Sequence, residues 1–332
     1  MSKASFGVAL SGGAARGAAH LGVLRALRDL ELHPDVVSGT SSGALVGSLW
    51  CRGLPEEEIR QAIIDFEPFA PWRASMLQPG LFNADYFKNY WSPFLVGALE
   101  DMNPRLLVVA TDVFSGEPII ISRGHTLTAV QASCALPPLF PSVRVDDHLL
   151  FDGGLSLNLP VEPLRSWCNI VLAVDVNPTR TADESCTTSA WRLFNRGLEV
   201  VFNMATEGSR QLSDILLEPR GLEQFDPLDL GRMGEAEELG YRAALEGLRP
   251  LAPSLRNGLL PAGNNSLEPI RIGGRSPAHH PKPMRFARLR VPPPRPMPEP
   301  EPGVPGWVYG VGAIGLLAAG AYVAGRLSRN GA

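Results

Sequence analysis

Residues 39–43 read Gly-Thr-Ser-Ser-Gly, a G-x-S-x-G segment that lies between a short apolar run and a helix-like apolar run. A serine at such a sharp strand-to-helix turn adopts a strained backbone conformation, so its near neighbours have to be small. Gly39 and Gly43 would let the strand and the helix close around Ser41. The hydroxyl would then be exposed at the positive end of the following helix. The segment therefore predicts a turn that presents Ser41 as a nucleophile.

A base is needed to activate Ser41, because a serine hydroxyl alone is a weak nucleophile. The six histidines do not follow the order of a conventional triad: two lie in a proline-rich stretch and two in turn-like segments between Ser41 and Asp152. Asp152 is the better candidate, since it ends a short apolar strand and precedes Gly153 and Gly154. A carboxylate placed in this way can face a cleft and accept the serine proton. The alternative is that Asp-Gly-Gly forms only a turn.

A glycine-containing loop follows the first strand-like run, residues 6–10, and precedes a helix whose buried face includes Val23, Ala26, Leu27 and Leu30. Strand, loop and helix in this order present backbone N–H groups to an anion, such as the oxyanion of acyl transfer. A dinucleotide fingerprint would need glycine at position 14, and a P-loop would end in Gly-Lys-Ser/Thr, which is absent. The loop residues that we assign to this anion site are Gly12, Gly13, Ala14, Ala15, Arg16 and Gly17.

Together these segments resemble the bacterial branch of the patatin-like phospholipase family. The matching motifs are residues 11–22, 39–44 and 152–154, and weaker similarity extends through residues 109–112, 116–117, 132–137 and 158–161. The resemblance covers roughly residues 5–245, and the order and spacing of the motifs make it specific although each motif alone is common.

The resemblance implies a Ser-Asp dyad acyl hydrolase that acts on lipid esters, with Ser41 as the nucleophile and Asp152 as the base. Backbone N–H groups near Gly13 and Ala14 would form the oxyanion hole. The family's third loop glycine is Ala14 here, and a methyl group at positive φ costs about 1–2 kcal/mol. If this position is left-handed, the hole is imperfect or the loop is shifted. Arg16 is expected to tie the loop to nearby carbonyl groups; contact with a substrate phosphate is the alternative.

The order of apolar segments predicts an α/β fold with a mostly parallel central sheet flanked by helices. Residues 106–110, 119–121 and 170–174 read as buried strands, and residues 126–135 and about 189–217 read as helices. The glycine loop, Ser41 and Asp152 all follow predicted strands. Because active sites of such sheets lie at the carboxyl ends of strands, these three features are expected to meet there.

Composition limits the functional classes. The net charge of −4 gives no basic footprint for nucleic acid, so no nucleic-acid partner is predicted. The four cysteines show no C-x-x-C spacing. Three of them, Cys51, Cys134 and Cys168, lie in apolar contexts and are expected to be buried thiols, which fits a reducing compartment. No cluster has metal-ligand spacing, so no metal or other cofactor is predicted. The aromatic side chains of residues 69–98 are expected to pack a helical cap, with an acyl-chain pocket as the alternative.

The chain divides into four predicted regions. Residues 1–249 form the acyl hydrolase domain, and residues 250–305 a disordered linker that holds fifteen of the 31 prolines. Residues 306–326 form a membrane-spanning helix, because residues 307–325 carry no charge and would extend over about 28 Å of helix. Residues 327–332 form a short polar tail. We expect a single-pass C-terminal anchor, a cytoplasmic catalytic domain and a possible homo-oligomer through this helix.

The sequence therefore predicts a lipase or phospholipase A type hydrolase of membrane lipids that forms an acyl-enzyme intermediate. Two alternatives remain open. A catalytically weak, membrane-tethered regulatory protein on the same scaffold would account for Ala14, and a serine peptidase would require a histidine that the sequence does not place.

Overall fold

A mixed β-sheet forms the centre of the computed structural model, which describes residues 4–67, 80–177, 184–226, 230–260 and 268–273. Its strands are β1 (Ala4–Leu10), β2 (Val36–Thr40), β3 (Arg105–Asp112), β4 (Pro118–Ile121), β5 (Val143–Val145), β6 (His148–Asp152), β7 (Cys168–Val174), β8 (Ile215–Glu218) and β9 (Ile270–Gly273). The helices are α1 (Ala18–Asp29), α2 (Ser42–Cys51), α3 (Glu56–Ile64), α4 (Ala84–Trp91), α5 (Thr126–Ser133), α6 (Glu162–Arg165), α7 (Ala190–Leu212), α8 (Met233–Leu248) and α9 (Ala252–Arg256).

The strand order is β5-β6-β3-β2-β1-β7-β8-β9, with β4 paired to β3. The strands from β3 to β9 along this order run parallel, whereas β4, β5 and β6 are antiparallel additions. The predicted α/β fold with a mostly parallel, helix-flanked sheet is thus confirmed. The central strands are buried along almost their whole length, as continuous apolar runs require when helices cover both faces.

The helix α1 buries the face that the sequence predicted, including Val23, Ala26 and Leu27. The aromatic residues of the predicted cap also pack together where they are described. Trp91 is fully buried, and its ring lies 5.0 Å from those of Phe66 and Tyr90. The remaining residues of that segment, 68–79, lie outside the described part.

Two boundaries differ from the prediction. The helix predicted over residues 189–217 ends at Leu212, because residues 215–218 form β8 beside β7. The linker predicted over residues 250–305 contains α9 and β9, and β9 pairs with β8. Short apolar stretches between prolines thus add an edge strand to the sheet, and the folded domain extends past residue 249.

No helix within the described ranges is both long and apolar enough to cross a bilayer. The predicted membrane segment, residues 306–326, and the polar tail, residues 327–332, lie outside those ranges.

Candidate active site

Ser41 lies between β2 and α2 with φ 51° and ψ −120°, a conformation that non-glycine residues rarely adopt. The glycines at −2 and +2 allow the chain to turn this sharply. A Cβ atom on Gly43 would lie 2.4 Å from the carbonyl oxygen of Leu10, and one on Gly39 would lie 2.6 Å from the backbone nitrogen of Ala44. Strand and helix therefore meet at a distance that leaves no room for a side chain at either position.

Ser133 holds the strained turn in place. Its hydroxyl accepts a hydrogen bond from the Ser41 N–H at 2.8 Å and donates one to the Val109 carbonyl at 2.5 Å. Ser133 is fully buried at the end of α5. The Ser133 side chain thus connects the turn to β3, and the Ser41 N–H already donates its hydrogen bond to this side chain.

The hydroxyl of Ser41 donates a hydrogen bond of 2.7 Å to Oδ2 of Asp152. The other carboxylate oxygen, Oδ1, accepts the Gly154 N–H at 2.8 Å. Asp152 is only 2% exposed, and this burial raises its pKa to about 6, although the hydrogen bonds from Gly154 and Ser41 lower it. Near neutral pH the carboxylate is therefore ionised and more basic than an exposed aspartate.

The register of the sheet explains why two residues 111 positions apart meet. Thr40, at the end of β2, pairs with Val109, and Asp152, at the end of β6, pairs with the next residue, Ala110. Gly153 then lies close to β3, since a Cβ atom there would be 2.3 Å from the Val109 carbonyl oxygen. The antiparallel strand β6 thus brings the carboxylate to the carboxyl end of a parallel strand.

The glycine loop lies directly beside the turn. A Cβ atom on Gly12 would be 3.3 Å from the Ser41 Cβ atom, and one on Gly17 would be 2.4 Å from that of Ser42. The Gly12 N–H donates to the Asn158 carbonyl at 3.0 Å and so does not face a ligand. Within the described ranges, the backbone amides of Gly13 and Ala14 donate no hydrogen bond. The amides of Gly13 and Ala14 are therefore available for the anion-binding role predicted for this loop.

Ala14 has φ 50° and an exposed side chain. The position does use the left-handed conformation, and the alanine there carries a cost of about 1–2 kcal/mol. Ala15, in contrast, is buried in the short helical turn that continues to Gly17.

Arg16 is 1% exposed and donates two hydrogen bonds, of 3.0 and 2.8 Å, to the Phe225 carbonyl. It also forms an ion pair with Glu199 of α7 at 3.0 Å. These contacts match the structural role expected of Arg16, and its guanidinium group faces the interior of the domain.

None of the histidine hydrogen bonds in the described ranges involves the dyad. His20 is buried beside Ser11, whose carbonyl oxygen lies 2.8 Å from Nε2, and burial lowers its pKa to about 4. His148 pairs with Asp112. His279 and His280 lie outside the described residues. Over the same ranges, no group of three or more His, Cys, Asp or Glu side chains is placed to hold a metal ion.

A small, shallow depression has Cys134 and Ala135 in its lining. Residues 134–135 connect this depression to the dyad. The Cys134 thiol interacts with Ser41 and Asp152, and the Ala135 carbonyl accepts a hydrogen bond from the Asp152 N–H at 3.0 Å. Burial raises the pKa of the Cys134 thiol well above its ordinary value, so it stays neutral. The other lining residues are Ala84, Phe87, Gln131, Phe140 and Pro141.

Sequence reasoning brought out the residues that carry recognisable chemistry and missed those that support them. The sequence analysis includes Ser133 and Asn158 only within segments that match the family. It does not include Asn177, whose side chain donates a hydrogen bond to the Gly12 carbonyl. Their polar side chains sit within apolar runs, and no spacing rule connects them to the turn or to the loop. Only the fold reveals their partners.

Comparison with known proteins adds an independent observation. Residues 8–165 match the family model described as patatin-like phospholipase. Lysophospholipase NTE1 of Candida glabrata is 26% identical over 303 residues, which cover 80% of this chain and 17% of that protein. An uncharacterised NTE family protein of Mycobacterium bovis is 28% identical over 225 residues, which cover 61% of this chain and 59% of that protein.

This chain thus spans less than two thirds of the length of either relative. Among solved structures, VipD from Legionella pneumophila has a TM-score of 0.40 and 16% identity, covering 74% of this chain and 66% of that one.

Proposed function

We propose that this chain, whose residues 8–165 match the patatin-like phospholipase family, is a serine acyl hydrolase of lipid esters. The observation that carries the proposal is the 2.7 Å hydrogen bond from the Ser41 hydroxyl to a buried carboxylate. A neutral serine beside an ionised, desolvated aspartate is activated for attack on a carbonyl carbon.

The first half of the reaction forms an acyl-enzyme. Asp152 takes the hydroxyl proton as the Ser41 oxygen bonds to the ester carbonyl carbon, and the carbonyl oxygen becomes an oxyanion. When the tetrahedral intermediate collapses, the bond to the alcohol oxygen breaks and the leaving alkoxide receives the proton from Asp152. The raised pKa of about 6 suits this exchange, because the carboxyl group both accepts and returns a proton near neutral pH.

The second half restores the enzyme. Water gives a proton to Asp152 and attacks the acyl carbonyl, and collapse of the second intermediate releases the fatty acid and returns the proton to Ser41. In both halves the amides of Gly13 and Ala14, which donate no hydrogen bond within the described ranges, would hold the oxyanion, since the adjoining Gly12 lies against Ser41.

Membrane lipids are the proposed substrate class, and lysophospholipids are the first to examine because of the relatives' names. The depression beside Cys134 has a largely apolar lining, which agrees with contact to an apolar substrate. One helix, α7, carries half of the exposed large apolar side chains among the described residues, which supports action at a lipid surface. These are Leu193, Val200, Val201, Met204 and Leu212.

Membrane attachment and oligomerisation through residues 306–326, and a cytoplasmic catalytic domain, remain predictions from the sequence. The regulatory alternative depends on Ala14, but the hydrogen bond between Ser41 and Asp152 supports the enzyme. The peptidase alternative has no histidine near Ser41 among the described contacts.

Release of fatty acid from lysophosphatidylcholine and from a soluble p-nitrophenyl ester tests the proposal. Ser41→Ala should abolish release of both products. Ser48→Ala is the matched control, because that buried hydroxyl bonds only the Leu45 carbonyl within α2 and should leave turnover intact. Full activity of Ser41→Ala, or no hydrolysis of any ester by the wild-type protein, would refute the proposal.

A further inference from the structure

The segment after β7 holds the glycine loop through one side chain. Nδ2 of Asn177 donates a hydrogen bond of 2.5 Å to the Gly12 carbonyl oxygen. Asn177 is buried, with 6% of its surface exposed. The loop is fastened to the same segment at a second point, where the Val176 N–H donates to the Ser11 hydroxyl at 3.0 Å.

This hydrogen bond determines the direction of an amide. A trans peptide is planar, so the N–H of Gly13 points opposite to the carbonyl of Gly12. Asn177 holds that carbonyl on its own side of the loop, and the Gly13 N–H consequently points away from Asn177. Ser41 lies against Gly12, with its Cβ atom 3.3 Å from where a Gly12 Cβ atom would be.

We propose that Asn177 is a positioning residue of the oxyanion hole, which keeps the Gly12–Gly13 peptide oriented with its N–H free for the transition state. The proposal rests on the proposed acyl hydrolase activity. Without the amide donor of Asn177, the buried Gly12 carbonyl would lose its partner, and a flip of the peptide would both remove the Gly13 donor and turn a carbonyl towards the oxyanion.

Hydrogen bonds of the neighbouring Asp175 hold the segment that carries Asn177. Oδ1 of Asp175 accepts the Asn177 backbone N–H at 2.9 Å, and Oδ2 accepts two hydrogen bonds from Arg210 of α7, at 2.9 and 2.6 Å. Asp175 and Arg210 are both buried. A buried ion pair with satisfied hydrogen bonds holds its geometry closely, and so it restrains the segment that carries Asn177.

The test compares Asn177→Ala and Asn177→Asp with Asn195→Ala. Asn195 is a buried asparagine of α7 that forms no hydrogen bond to the loop among the described residues. On a soluble ester, both Asn177 variants should lose kcat by about 100-fold, the lower end of the effect of losing one oxyanion donor. KM should stay nearly constant, because the ester carbonyl gains these hydrogen bonds only in the transition state. Asn195→Ala should retain the wild-type kcat.

A second readout separates positioning from general loss of structure. A trifluoromethyl ketone forms a tetrahedral adduct with Ser41, and its affinity should fall in proportion to kcat/KM, whereas binding of the product fatty acid should not change. In the wild-type protein, the Gly13 amide resonance, followed with selectively labelled glycine, should shift strongly when the adduct forms. This measurement requires no variant to fold.

A wild-type kcat in the Asn177 variants would overturn the proposal, as would unchanged affinity for the ketone or a Gly13 resonance that does not move on adduct formation. If the wild-type enzyme hydrolyses esters through Ser41 while any of these results is found, only this inference fails. If the wild-type enzyme hydrolyses nothing, the proposed function fails with it.

Discussion

Asp152→Asn should inactivate the protein and make it more stable at neutral pH. Asparagine keeps the shape of the side chain: its oxygen can still accept the Gly154 N–H, and its NH₂ group can donate to the Ser41 oxygen. The substitution removes a charge that folding has to desolvate. The pKa of Asp152 rises from 3.8 to about 6 on folding, which corresponds to about 3 kcal/mol at 1.36 kcal/mol per pKa unit.

The sign of the effect depends on pH. Because the folded pKa lies above the unfolded value, the folded protein holds a proton on Asp152 that the unfolded chain has lost. This contribution to stability is complete below pH 4 and is lost as the pH rises through about 6. The free energy of unfolding of Asp152→Asn should therefore equal that of the wild type near pH 4 and exceed it by about 3 kcal/mol at pH 8.

Urea unfolding of both proteins at pH 4, 6 and 8 measures this difference, since every other titrating group is common to the two chains. The midpoint should rise at pH 8 with an unchanged m-value. Asp152→Glu retains the charge and serves as the control. A variant that is less stable than the wild type at pH 8, or a difference that does not vary with pH, would show that burial does not raise the pKa of this carboxyl group.

Three other changes test neighbouring parts of the site. The kcat/KM of the wild type on a soluble ester should fall about tenfold per pH unit below pH 6, because protonated Asp152 cannot accept the Ser41 proton; a flat profile down to pH 4.5 would contradict this. Ser133→Ala leaves the Ser41 N–H without its partner and should cost about 1–3 kcal/mol of stability and lower kcat, and unchanged values of both would exclude its role in holding the turn. Ala14→Gly relieves the positive φ and should raise the free energy of unfolding by about 0.5–1 kcal/mol with full activity retained, whereas a loss of stability would mean that the alanine is not strained.

The nucleophile turn could be predicted because its requirements are local. Ser41 needs small neighbours at fixed offsets, and that spacing is visible in the chain. The contact with Asp152 could be anticipated from its position after a predicted strand and from the resemblance, but the strand pattern alone left a simple turn as the alternative. The contact depends on β6 joining β3 in the antiparallel direction one residue beyond the end of β2. The residue pattern of β6 does not indicate which strand it pairs with.

The supporting residues could not be predicted for a related reason. Ser133 and Asn177 act through hydrogen bonds to backbone groups far along the chain, and an isolated serine or asparagine has no periodicity. The proline content of residues 250–305 predicts that the fold ends at residue 249. Residues 270–273 still form β9, which is possible because an edge strand needs only one partner.

Trapping the covalent intermediate shows which residue is the nucleophile. Acid quenching during steady-state hydrolysis of a p-nitrophenyl ester, followed by peptide mass spectrometry, should show the mass of one acyl group on residue 41 and on no other residue. Asp152→Asn should accumulate none. An acyl group on a different residue, or rapid turnover by the wild-type enzyme with Ser41 never modified, would contradict the assignment of the Ser41-Asp152 pair as the catalytic dyad.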